Sequence, residues 1–82
     1  MTDEKFKTEY YNPYVETWKI LKLVQYADQT SDYDAQWQRY MKEIDRLNET
    51  YPDNRFAQEL IRLLVNAGDY IARENQKEHD EG

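Results

Sequence analysis

The side chains able to carry a reaction are few: one histidine, His79, one serine, Ser31, and no cysteine in 82 residues. Nucleophilic catalysis needs a hydroxyl or thiol beside a base, and proton transfer needs a group whose pKa its surroundings can tune. His79 stands in a polar run near the end of the chain, where nothing apolar holds its ring. Ser31 has no histidine near it in sequence, and its place ahead of an amphipathic stretch reads as a helix cap, with Asp34 three residues on. The acidic cluster Asp28, Asp32 and Asp34 has the alternating oxygen ligands with which a calcium loop begins. Counted from Asp28, however, the sixth position is Tyr33 where the bend needs glycine, and the twelfth is Arg39 where a bidentate glutamate belongs. These carboxylates are read instead as helix-start residues, which the helix dipole favours. With Gly68 and Gly82 the only glycines, no glycine-rich phosphate loop can form. No catalytic, cofactor-binding or metal-binding residue is assigned, and the expectation is a protein that is not an enzyme.

Charge and aromatic content point toward binding. Seventeen acidic residues against eleven basic ones give a formal charge of −6, which repels a phosphate backbone. The turn at Tyr51 to Asn54 ahead of Arg55, Gln58 and Arg62 has the layout of a helix-turn-helix reader, but Glu59 and the negative total oppose it. An acidic surface suits a basic partner protein. Its expected members are Asp28, Asp32, Asp34, Glu43, Asp45 and Glu49, with Tyr33 at the edge. The expected function is therefore a small acidic regulator or inhibitor that covers a basic surface of a larger protein. In size, charge and aromatic content, though in no motif, the chain is similar to small phage-encoded inhibitors that imitate nucleic acid. Against that sharper reading, Lys19, Lys22, Arg39, Lys42, Arg46, Arg55 and Arg62 interrupt the acidic surface. The alternative is a self-associating structural protein, a homodimer or higher. Met1 to Lys5 lack the basic start and apolar stretch of a secretory peptide, and no apolar run approaches the roughly 18 residues of a membrane span. A cytoplasmic protein with no membrane and no direct nucleic-acid partner is expected.

The elements that must position these residues are helices. Tyr33, Trp37, Tyr40, Ile44, Leu47 and Tyr51 recur at alternating steps of four and three, the stripe of an amphipathic helix. It should run from about Asp32 to Thr50, with Arg39 and Glu43 paired on its polar face. Asn12-Pro13 is a helix start, so a first helix is placed from Pro13 to Ala27 behind an N-terminal arm of residues 1–11. Tyr14, Trp18 and Leu21 form one row on it and Ile20, Val24 and Ala27 another. That arrangement implies the most buried helix, in contact with two neighbours or with one neighbour and a second subunit. A third helix should span Asn54 to Asn75, capped by Asp53 and continuous through Gly68, with Phe56, Leu60, Leu64, Ala67 and Ile71 as its stripe. Residues 76–82 read as a flexible acidic tail. Trp18, Trp37 and Tyr40 are expected in the core. The fold class is all-α: one domain, a compact three-helix up-down-up bundle over residues 13–75, with a short additional N-terminal helix possible in the arm.

Overall fold

A computed structural model describes residues 1–26 and 33–81, and the side chains of residues 1–25 and 34–75. Among the described residues every regular element is helical. The chain forms an up-down-up bundle of three helices: residues 3–26, Tyr33–Thr50 and Arg55–Glu81. The first and third run parallel, since Tyr10 stacks on Phe56 at one end and Asn75 reaches Val24 at the other.

The first helix is one continuous rod rather than an arm followed by a helix. It passes from an α-turn at Asp3–Phe6 through a π segment at Lys7–Tyr11 into α-helix at Asn12–Leu21, and it closes as 3-10 helix at Lys22–Tyr26. Asn12 has helical angles and does not cap. The helix starts instead at Thr2, whose hydroxyl accepts the Lys5 N–H at 3.1 Å. Proline 13 is thus internal, and it explains the π segment. Proline brings no N–H to the carbonyl four residues back and its ring crowds that carbonyl, so the turn before it must widen. The widened turn bonds the Asn12 N–H to the Lys7 carbonyl. The carbonyl of Glu9, which lacks the proline's N–H, accepts the side-chain amide of Asn54 at 2.8 Å.

Asn54, not Asp53, is also the cap of the third helix: its Oδ1 accepts the Ala57 N–H at 2.9 Å. A second asparagine does similar work at the far end. The amide of Asn75 donates to the carbonyls of Val24 and Gln25, at 3.1 and 2.9 Å, where the tightened last turn leaves acceptors open. The third helix runs on to Glu81, beyond the expected end at Asn75. Gln76, Lys77 and Glu78 are good helix formers, so the chain has no local reason to stop there.

The core is a slim seam of Ile20 and Val24 from the first helix, Tyr40, Ile44 and Leu47 from the second, and Ala57, Leu60, Leu64, Ala67 and Ala72 from the third. Trp37 and Tyr51 pack against it, completing the described part of the aromatic stripe. Tyr40 is 1% exposed, its ring 5.5 Å from that of Trp37. Its hydroxyl donates to the Leu64 carbonyl, one turn before Gly68. Gly68 keeps helical geometry, and a Cβ there would stand 2.7 Å from the Tyr40 ring, so the glycine is a slot for that ring. The close approach is a side chain's rather than a backbone's. Burial and the neighbouring Tyr70 push the Tyr40 phenol up to about 12.

Candidate functional site

The expected acidic face is divided by the fold. Asp28 and Asp32 lie outside the described residues, and Tyr33 opens the second helix with its side chain also outside them. Asp34, in the first turn of that helix, and Asp45 and Glu49 further along it are exposed. At about 100° per residue these three fall within roughly 60° of one another. Glu43 lies about 120–180° away from them, with Lys42, Arg39 and Arg46 in the sector between. It is half-buried and faces Arg46 at 3.8 Å, on a shallow depression shared with Glu16 and Thr50. The pairing expected between Arg39 and Glu43 is thus replaced by one with Arg46. The second helix therefore presents a short acidic flank beside a basic one rather than a continuous negative surface.

A different face is more conspicuous. Tyr11, Tyr14 and Trp18, the last of them expected in the core, stand 55%, 58% and 58% exposed on one side of the first helix. Among its described side chains the rod fully buries only Pro13, Thr17, Ile20 and Val24, and Thr17 satisfies its buried hydroxyl on the Pro13 carbonyl at 2.8 Å. Because three helices of this size enclose so little volume, the second apolar row packs only Leu21 against the core and leaves Tyr14 and Trp18 outside it. At one end Asp3, Phe6, Lys7 and Tyr11 line a single depression. At the other, Trp18, Leu21, Lys22 and Ile71 line an apolar groove between the first and third helices. Leu63 and Tyr70, both exposed, lie at successive steps of seven from Phe56, on the flank of the third helix that turns toward the first. The result is an aromatic strip along one side of the bundle. Phe6 is more than half exposed like its neighbours, although its ring also stacks on Tyr10 at 5.1 Å.

Fully buried aromatic side chains contribute on the order of 150–250 Å² each, so Phe6, Tyr11, Tyr14, Trp18 and Tyr70 leave roughly 500 Å² or more exposed. Monomers typically leave a largest apolar patch of about 300–600 Å². The strip is at the upper end of that range before Leu63 and Leu21 are added.

The Tyr14, Trp18 and Leu21 row could be read from spacing. The part contributed by Asp3, Lys7 and Tyr11 could not, because a helix start at Pro13 hides the register that crosses it. No described helix is long and apolar enough to cross a membrane. Comparison of the chain with protein families, with curated proteins and with solved structures finds no match among any of the three.

Proposed function

We propose that this protein is a small, non-enzymatic interaction module that works by covering or being covered by another protein surface, in the manner of a regulator or inhibitor. The observation that carries the reading is the exposed aromatic strip of the first helix. Tyrosine and tryptophan are the residues that concentrate energy at protein interfaces, because each brings a large rigid area with a polar tip. Leaving several of them in water on an 82-residue chain that builds so slim a core is costly unless a partner removes them from it.

A second reading keeps the acidic surface as a docking site for a basic partner. It is supported by Asp34, Asp45 and Glu49, which share one exposed flank of the second helix, and by the charge of −6. Imitation of nucleic acid would be its sharper form. The adjoining Arg39, Lys42 and Arg46 make this flank narrow, and we place it second.

Hydroxyl-radical footprinting distinguishes the two faces. In an extract of the source cells, Tyr11, Tyr14 and Trp18 should be modified more slowly than in the isolated chain at nanomolar concentration. Equal modification in both samples would refute the aromatic-face reading. Loss of the bound material on reversing Asp45 and Glu49 to lysine would favour the acidic flank instead.

A further inference from the structure

We infer that the aromatic face of the first helix is occupied by the same face of a second copy, packed antiparallel about a two-fold axis beside the Asn12-Pro13 peptide. This rests on the reading of that face as an interaction surface and names its occupant. The face consists of Asp3, Lys7, Tyr11, Tyr14, Trp18 and Lys22. Shared depressions group the first three and the last two, and the exposed row of Tyr11, Tyr14 and Trp18 joins them. Their spacings are four, four, three, four and four, a sequence that reads the same in both directions.

A two-fold axis perpendicular to the helix at that centre pairs positions whose numbers sum to 25. Asp3 then meets Lys22 of the other copy, Lys7 meets Trp18, and Tyr11 meets Tyr14, each contact occurring twice. All three pairings are chemically complementary: a carboxylate with an ammonium, a cation over an indole ring, and two aromatic rings. A two-fold interface requires one patch to be complementary to itself, and this register meets that condition at every position of the row. A parallel two-fold would instead set Lys7 against Lys7 and Lys22 against Lys22.

The size also fits. Tyr11, Tyr14 and Trp18, with Phe6 beside them in the depression of Asp3 and Lys7, supply on the order of 400 Å² per copy from aromatic rings. The aliphatic stems of Lys7 and Lys22 and the exposed Leu63 alongside extend this toward the roughly 800 Å² that a standard interface buries on each side. Exposed ion pairs contribute little to affinity, so Asp3 with Lys22 sets the register while the rings supply the burial.

Sedimentation equilibrium of the full chain from low to several hundred micromolar tests the inference. The expected mass is twice the 10.0 kDa of the chain, falling to that of one chain in Tyr14→Glu and Trp18→Glu variants that keep their helical circular dichroism. Because these two changes remove apolar contact, an exposed charged pair offers an independent check that leaves the fold alone. Asp3→Lys and Lys22→Glu should each raise the dimer dissociation constant several-fold, and the double exchange should restore it. A single-chain mass at every concentration overturns the inference, as does a dimer indifferent to Tyr14→Glu and Trp18→Glu, or a double exchange that is merely additive. A monomer whose Tyr14 and Trp18 are nevertheless protected in cell extract leaves the aromatic-face reading standing with a different occupant. A monomer unprotected there ends both.

Discussion

At the scale of single residues the structure turns on Tyr40 and Gly68. Two effects of opposite sign meet at Gly68. Alanine is about 1 kcal/mol better than glycine inside a helix, but a Cβ at 2.7 Å from the Tyr40 ring forces overpacking that costs about 1–3 kcal/mol. The ring cannot retreat cheaply, since Tyr40 is buried and held by its bond to the Leu64 carbonyl. Gly68→Ala should therefore destabilise by about 1 kcal/mol net; a raised midpoint of urea unfolding would show that the slot is slack. Tyr40 also sets an alkaline limit. Its folded pKa of about 12 lies above the ordinary value of 10, so the unfolded chain loses this proton first. The contribution is complete below pH 10 and is lost as pH rises from 10 through 12, up to about 2–3 kcal/mol. In Tyr40→Phe, stability should begin about 1 kcal/mol lower at neutral pH for want of the hydrogen bond, and decline less steeply above pH 10. Parallel curves for the two proteins across that range would contradict this assignment.

At the scale of elements, two asparagines on the third helix complete the irregular ends of the first. Asn54 both caps its own helix and serves the Glu9 carbonyl, so Asn54→Ala should cost about 2 kcal/mol, one part from the cap and one from the lost bond between helices. Asn54→Asp keeps the capping oxygen and loses only the donor to Glu9, so urea denaturation should place it about midway. An aspartate variant as stable as the parent would remove the second role. The same residues mark what the sequence could and could not disclose. Helix type, the number of rods and the second helix's stripe were legible, because Tyr40, Ile44 and Leu47 obey one period and the turn at Pro52 interrupts it. The start of the first helix was not. Proline 13 is equally compatible with a first-turn position and with an interior one behind a widened turn, and only the Asn54 amide, 45 residues in sequence from the Glu9 carbonyl it serves, distinguishes the two. The cap at Asn54 rather than Asp53 is a one-residue choice that the long-range bond to Glu9 also decides. The outward turn of Trp18 was hidden for another reason: spacing defines a row but not whether any volume remains to receive it.

For the whole molecule, the governing quantity is the ratio of apolar surface to the core available to hold it. The seam has three alanines among its ten buried apolar side chains, so burial within one chain is limited, while exposed rings accumulate along one side. A chain of this kind gains by pairing, and pairing couples folding to concentration. For a folded dimer that melts to two unfolded chains, each tenfold rise in protein concentration adds about 1.4 kcal/mol to the apparent stability per dimer. At the entropy of unfolding expected for two chains of this length together, that is a rise in Tm of about 3–6 °C per decade. Calorimetry over two decades of concentration should show this slope for the natural chain and none for Tyr14→Glu, whose melting should coincide with the dilute limit of the parent. The acidic flank of the second helix predicts the reverse sensitivity: reversal of Asp45 and Glu49 should leave the concentration slope intact, because those side chains stand on a different helix from the paired face. A melting temperature independent of concentration in the natural chain would mean that its rings are held in water by the folded monomer itself. The strip would then be open to a partner of another kind.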